Sequence, residues 1–267
     1  MAGIPLAVLD LVPISTGSTA AQALRNTIDL ARQAERAGYT RYWFAEHHFN
    51  PGVAGTSPAV LIALTASATE HIRLGAGAVQ LGHRTALATV EEFGLLDALH
   101  PGRIDLGLGR SGGRGKAPAG PAQPADGPDR SAPAPAPSTG RVTENGLLIP
   151  PAFYPAKLYG SPRFGLYQEL LQQPNAQSQD YTEQIAVIQA LLDGTYLSDK
   201  GVEAHVIPGE GSELQLWILG SSGGESAQVA GGRGLRFAAN YHVSPGTVLD
   251  AVEGYRAAFQ PSEELAE

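Results

Sequence analysis

The sequence predicts an α/β fold with a parallel sheet, and two observations lead to this prediction. Short apolar runs of four to eight residues recur along the chain, as expected for strands that are buried on both faces. Between them lie longer segments in which apolar residues repeat at helical spacing. This alternation is typical of βαβ units, which form either a closed (β/α)8 barrel or an open doubly wound sheet.

The predicted elements follow one another in a regular order. The strands are 6–12, 42–45, 72–79, 104–108, 214–219 and 235–239. The helices are 20–36, 58–69, 86–99, 181–192, 225–230 and 247–259, with a further apolar pattern at 164–171. Ser57 and Pro58 suit the start of the second helix, and Gly38 suits the end of the first. About six strand–helix units result, which is fewer than an eight-stranded barrel contains.

The segment 111–141 differs from the rest because it is rich in proline, alanine and glycine. It carries seven of the 20 prolines in the chain, and proline removes backbone donors from helices and strands. We therefore expect a flexible loop with polyproline-II character. It is either a disordered linker or a lid, since it follows the C-terminal end of a predicted strand, where barrel active sites lie.

Composition and charge exclude several classes of protein. The formal net charge is −8, which disfavours a nucleic-acid-binding protein. The chain contains no cysteine, which excludes disulfides, thiolate metal sites and a cysteine nucleophile. No apolar run approaches the roughly 20 residues that span a bilayer, and the first residues do not resemble a secretory signal. We expect a cytoplasmic protein that binds neither nucleic acid nor a membrane.

The motif Glu46–Phe49 (EHHF) follows directly on the second predicted strand. A histidine at the carboxyl end of a strand can donate or accept a proton near neutral pH. Adjacent side chains on extended backbone point to opposite faces, so His47 and His48 are poor candidates for one metal ion. From spacing alone, these histidines are either acid–base residues or loop residues without a specific role.

Two glycine-rich segments are candidates for binding phosphate. Gly220–Gly224 (GSSGG) lies between a predicted strand and a helix start, so it is either a phosphate cradle or a turn of small residues. Residues 107–112 match G-x-G-x-x-G, but proline-rich sequence follows where a dinucleotide site requires a helix. Within that segment, Arg110 is a fixed positive charge at a strand end that can pair with phosphate.

Three segments together resemble the bacterial luciferase-like flavin monooxygenase family. They are RYWFAEHHFNPG, IRLGAGAVQLGHRTALATVEEFGLLDALHPGRIDLGLGRS and LWILGSSGGESAQVA. The resemblance is closest to the single-chain alkanal-monooxygenase-like members, and it covers residues 4–111 densely and 162–249 more loosely. It implies a (β/α)8 TIM-barrel fold that binds FMN at the C-terminal face of the barrel.

The resemblance also implies roles for individual residues. His47 takes the place of the family's catalytic histidine, which assists formation and breakdown of the flavin hydroperoxide. Gly77–Ala78 matches a pair that carries a non-proline cis peptide bond beneath the isoalloxazine ring. The implied phosphate-binding residues are Arg110, Ser222, Gly223, Gly224 and Ser226. No metal is expected, and Gly109 stands where the family has a reactive cysteine that tunes the site.

The implied activity is that of an FMN-dependent monooxygenase. Reduced FMN from a separate flavin reductase would react with O2, and a small organic substrate such as an aldehyde would be oxidised. A deazaflavin-dependent oxidoreductase and a non-catalytic flavin-binding protein are the alternatives, since the superfamily includes both. We also expect a homodimer through the helices at 58–69 and 86–99, because the first of these is apolar on nearly all sides.

The whole chain, residues 1–267, is expected to form a single luciferase-like barrel domain that lacks strands seven and eight. Only eight residues follow Phe259, too few for a further strand–helix unit of about 30 residues. The first and sixth predicted strands would then remain unpaired with each other. An open pocket wall predicts weak FMN binding and uncoupled release of peroxide.

Overall fold

The structure is a computed structural model that describes residues 4–110, 139–151, 162–174, 176–177 and 179–266. The strands are β1 (Ala7–Asp10), β2 (Arg41–Phe44), β3 (Arg73–Ala76), β4 (Val79–Gln80), β5 (Ile104–Gly109), β6 (Arg141–Val142), β7 (Leu148–Ile149), β8 (Gln215–Gly220) and β9 (Arg236–Ala239). The helices are α1 (Ala20–Arg36), α2 (Pro58–Ala66), α3 (Ala86–Leu99), α4 (Pro162–Leu171), α5 (Tyr181–Leu192), α6 (Glu225–Gly232) and α7 (Val248–Ala258). The α/β alternation predicted from the sequence is confirmed.

The chain divides into two compact units. The first comprises Met1–Gly109 with Gln179–Leu216, and the second comprises Arg110–Ser178 with Trp217–Glu267. Strand β8 begins in the first unit and ends in the second. The prediction of one barrel domain over residues 1–267 stays a prediction.

The first unit is built on parallel strand pairs. β1 pairs with β2 from Ala7 opposite Arg41 to Asp10 opposite Phe44, and β2 pairs with β3 in the same way. β3 and β4 both pair with β5, whose six residues are all buried. The register places the carboxyl ends of β2 and β3 side by side, and both lead into the candidate site.

The helices of the first unit begin and end where local signals place them. The Thr19 hydroxyl accepts a hydrogen bond from the Gln22 N–H at the start of α1, and Gly38 follows its end at a φ of +81°. Helix α2 ends at Ala66 rather than at 69. There the Ala68 N–H bonds to the Thr65 carbonyl, three residues back, and the Thr69 hydroxyl bonds to the same carbonyl.

Helix α3 lies close to a loop of the same unit. Its buried residues include Val90, Phe93 and Leu96. A Cβ on Gly94 would come within 1.8 Å of the Pro208 carbonyl oxygen, so only glycine permits this approach.

The second unit contains the parallel pair β8–β9 and a short antiparallel hairpin, β6–β7. The sequence analysis missed this hairpin, although the Asn145-Gly146 dipeptide in its turn is a hairpin signal. The loop predicted at 111–141 must therefore end earlier, because Arg141 belongs to β6. Residues 111–138 of that loop lie outside the described residues.

The predicted strand 72–79 also needs correction, because it divides into β3 and β4 at Gly77 and Ala78. Within the part of the chain that the structure describes, β1 pairs with β2 alone and β9 pairs with β8 alone. None of the described helices is long and apolar enough to cross a membrane.

Candidate active site

The backbone after β2 carries the two histidines of the EHHF motif in different surroundings. His47 is exposed, and its backbone N–H donates to the Gly55 carbonyl at 2.7 Å. His48 is half-buried and its Nε2 lies 2.8 Å from a carboxylate oxygen of Glu46. Of the two histidines, His48 is therefore the more buried.

Glu46 is the centre of a buried polar cluster. Its Oε1 atom lies 2.8 Å from His48 Nε2 and 3.1 Å from His83 Nε2, while its Oε2 accepts a hydrogen bond from the Gln80 N–H at 2.9 Å. The guanidinium of Arg84 approaches the same Oε1 at 3.6 Å. The carboxylate itself is fully shielded from solvent, so these groups replace its hydration.

The charge state of Glu46 follows from these neighbours. Burial alone would raise the pKa of its carboxyl group. The hydrogen bonds from His48, His83 and the Gln80 N–H, together with the charge of Arg84, outweigh burial and lower this pKa to about 2. Glu46 is therefore ionised at neutral pH.

Gly77 and Ala78 follow β3, whose last residue, Ala76, is paired with Phe44 at the end of β2. Their peptide bond is cis, as the resemblance implies. The Gly77 N–H donates to the Phe44 carbonyl at 2.8 Å, which joins the ends of the two strands. A Cβ on Gly77 would lie 2.9 Å from Leu9 Cδ1 and 3.1 Å from Trp43 Cε3, so a side chain at this position would have to displace one of these groups. The first unit thus joins Gly77 to the last residue of β2, three residues before His47.

A side chain at position 109 would also crowd this region. A Cβ on Gly109 would lie 3.1 Å from the Cβ of Ala78, closer than most real contacts of this kind. A cysteine here would therefore press on the Gly77–Ala78 pair. The absence of a side chain relieves that contact.

The phosphate-binding residues implied by the resemblance lie in the second unit. Ser222, Gly223 and Gly224 form the turn between β8 and α6, where the Ser222 Oγ accepts a hydrogen bond from the Gly224 N–H at 3.3 Å. A Cβ on Gly223 would come within 2.7 Å of the Asp250 carbonyl oxygen, so this turn packs tightly on α7. Ser226 differs from the others because it is buried in the first turn of α6.

Arg110 has a carboxylate partner that the sequence analysis missed. Its guanidinium forms an ion pair with Glu225, the first residue of α6, and about a third of each side chain is exposed. The available signal was the position of Glu225, because acidic residues favour the first turn of a helix. Glu46, His83 and Arg84 were also missed as a cluster, since His83 lies 37 residues from Glu46 along the chain.

The sequence is similar to a known protein family and to several bacterial proteins. Residues 4–130 match the model of the luciferase-like monooxygenase family. This match confirms the family resemblance. An uncharacterised Bacillus subtilis protein, YvbT, is 37% identical over 98% of this chain, and an Escherichia coli K12 protein named luciferase-like monooxygenase is 33% identical over 98%. The chain spans 62% and 63% of the lengths of these two luciferase-like relatives.

Several solved structures share the fold of this chain. The crystal structure of apo-MsnO8 superposes with a TM-score of 0.70 at 29% identity, covering 99% of this chain and 62% of that chain. A 3,6-diketocamphane monooxygenase from Pseudomonas putida, solved with FMN, has a TM-score of 0.56 at 16% identity and covers 97% and 66%. An F420-dependent secondary alcohol dehydrogenase has a TM-score of 0.53 at 15% identity and covers 97% and 66%. The incomplete barrel-type α/β fold predicted from the sequence is confirmed by the first of these neighbours.

Proposed function

We propose that this chain carries the flavin site of an FMN-dependent monooxygenase. The enzyme uses reduced FMN and O2 to oxidise a small organic substrate such as an aldehyde. The observation that carries the proposal is that the segment with His47 follows β2 and Gly77–Ala78 follows β3, two paired parallel strands, in a chain similar to a luciferase-like monooxygenase over 98% of its length. This edge of a parallel sheet is where α/β proteins of the barrel type bind their ligands.

The overall reaction balances for an aldehyde substrate. Aldehyde, O2 and reduced FMN yield carboxylic acid, oxidised FMN and water. Reduced flavin supplies the two electrons that O2 activation needs, and a separate flavin reductase regenerates it. His47 is exposed at the strand end, so its imidazole can hold or release a proton at the reacting centre.

The FMN phosphate is proposed to bind Arg110 and the Ser222–Gly224 turn. The turn precedes α6, whose N-terminal N–H groups favour an anion. The Glu225 carboxylate already pairs with Arg110, so an incoming phosphate must replace it as the partner of the guanidinium. Glu225 therefore opposes phosphate binding, while Arg110 supports it.

Binding of FMN and of riboflavin, which lacks the phosphate, tests this assignment. Arg110→Ala should weaken FMN binding about 10- to 100-fold, the loss expected for a charge-assisted pair, and leave riboflavin binding unchanged. Glu225→Gln should tighten FMN binding and also leave riboflavin unchanged. Fluorescence titration gives all six dissociation constants. An FMN dissociation constant that Arg110→Ala leaves unchanged would contradict the assignment.

A deazaflavin-dependent oxidoreductase is the second candidate, because one structural neighbour is an F420-dependent dehydrogenase in complex with an F420-acetone adduct. Absorption spectra of the protein after incubation with each cofactor distinguish the two. Oxygen uptake with reduced FMN then separates a monooxygenase from a flavin-binding protein without turnover.

A further inference from the structure

Glu46 is a fully buried acid that the proposed chemistry does not use. Both imidazoles direct the same atom, Nε2, at its Oε1, at 2.8 Å from His48 and 3.1 Å from His83. An ionised carboxylate oxygen only accepts hydrogen bonds, so each Nε2 must carry a proton. Glu46 therefore selects one tautomer in both rings.

The same three residues could instead be read as a metal site. Their ligand atoms lie within 4.8 Å of one another, and two histidines with one glutamate form a common zinc set. Two observations oppose this reading. The Arg84 guanidinium stands 3.6 Å from the oxygen that would bind the metal. In addition, the buried His83 Nδ1 has no hydrogen-bond partner among the described residues, whereas a metal-bound histidine normally donates through its second nitrogen.

The hydrogen bonds of Glu46 also hold the backbone of the site. Its Oε2 accepts from the Gln80 N–H at 2.9 Å, and its backbone carbonyl accepts from the Gln80 side-chain amide at 2.6 Å. Gln80 lies two residues after Ala78, and Glu46 immediately precedes His47. Two hydrogen bonds thus tie the residue before His47 to the segment that continues from Gly77–Ala78.

We propose that Glu46 is a positioning residue that acts through His47. By fixing the Nε2–H tautomers of His48 and His83 and by holding Gln80, it sets the position of His47 relative to the Gly77–Ala78 pair. This inference rests on the proposed function only for the role of His47. The tautomer assignment rests on the hydrogen bonds alone, so the two parts can be tested separately.

Nitrogen-15 NMR of the wild-type protein with labelled histidine tests the tautomers directly. The Nε2 atoms of His48 and His83 should both show the shift of a protonated ring nitrogen at neutral pH. The signals are assigned with His48→Gln and His83→Gln. An unprotonated Nε2 in either ring would overturn the proposal, as would stoichiometric binding of added Zn²⁺ that Glu46→Gln abolishes.

A double-mutant comparison tests the action through His47. Glu46→Gln should lower kcat for the oxidation of reduced FMN by O2 about 10- to 100-fold and change the KM for FMN little, because a small misplacement of a catalytic group costs this much. The double variant Glu46→Gln/His47→Asn should be no slower than His47→Asn alone. Glu46→Asp, which keeps a carboxylate, should be faster than Glu46→Gln. Glu92→Gln, which alters the other partner of Arg84, is the matched control and should behave as wild type.

The outcomes separate the two hypotheses. If the loss of kcat in the double variant equals the product of the losses from Glu46→Gln and His47→Asn, Glu46 does not act through His47. That result would overturn this part of the inference. A His47→Asn variant with full activity would overturn the proposed role of His47 and, with it, the action of Glu46 through that residue. The tautomer measurement decides separately whether Glu46 fixes the protons of His48 and His83.

Discussion

At the residue scale, two buried acids of the first unit, Asp105 and Glu46, are each surrounded by several hydrogen-bond donors. Asp105 is fully buried and accepts hydrogen bonds from Arg41 Nε at 3.0 Å, Arg73 Nε at 2.8 Å and Trp43 Nε1 at 2.9 Å. Glu46 is likewise buried, and the imidazoles of His48 and His83 are among its donors. A buried charge without partners costs several kcal/mol of folding free energy, so these donors are needed to keep such acids inside the folded protein.

His47 is the residue for which we predict an effect on turnover and little effect on flavin affinity. It is exposed at the end of β2, in the unit that does not contain Arg110 or Ser222. His47→Asn should slow oxidation about 10²- to 10⁴-fold, the usual contribution of a general acid–base group. Steady-state rates and FMN titrations on the same preparation measure both quantities. A variant that retains the full rate with a genuine substrate would show that the role is wrong.

At the scale of elements, α2 and α3 are helices with apolar residues on their outer as well as their inner faces. Val60 and Leu64 on α2 and Leu87, Leu95 and Leu99 on α3 are exposed, although α2 contacts α1, β3 and α3. A helix on the outside of a barrel normally has a polar outer face. This pattern supports the proposal of a homodimer through α2 and α3.

The proposed dimer predicts that a charge on this face separates the subunits. Leu64→Lys should shift the mass measured by light scattering at micromolar concentration from dimer toward monomer, because a lysine would be buried without a partner. Leu30→Lys on α1 is the matched control, since Leu30 and Leu64 are each 48% exposed. A monomeric mass for the wild-type protein, or equal effects of the two substitutions, would count against this interface.

At the scale of the whole molecule, the cluster around Glu46 couples stability to pH. The folded-state pKa of about 2 lies below the ordinary value of 4.5, so the ionised form stabilises the fold. This contribution is complete above pH 4.5 and is lost as the pH falls from there toward 2. The charged or titratable groups that face the carboxylate are His48, His83 and Arg84.

The expected contribution is about 3 kcal/mol, since each unit of pKa shift corresponds to about 1.4 kcal/mol. The free energy of unfolding of the wild type should exceed that of Glu46→Gln at pH 5.5, and this difference should shrink by about 3 kcal/mol by pH 2. Urea titrations at several pH values measure it. Glu92→Gln is the control, because the Glu92 side chain is 42% exposed, and its difference from wild type should stay nearly constant. A difference for Glu46→Gln that does not change with pH would contradict the prediction.

The sequence by itself determined the order of the main strands and helices, though not the β6–β7 hairpin or the division of β3 from β4. Helices 20–36, 86–99 and 181–192 have the predicted bounds because each combines apolar periodicity with a polar cap residue or a terminal glycine, all local signals. The motifs also named His47, Gly77 and Ala78, which lie in the segments that follow the paired strands β2 and β3.

Tertiary structure decided which side chains became partners. Arg110 pairs with Glu225, 115 residues further along the chain, and Glu46 meets His83 across 37 residues. The periodicity of apolar residues indicates whether a side chain faces the interior. It contains no information about which residue, distant along the chain, that side chain contacts. The ionisation of Glu46 and the ion pair of Arg110 with Glu225 depend on those partners, and only the folded chain brings them together.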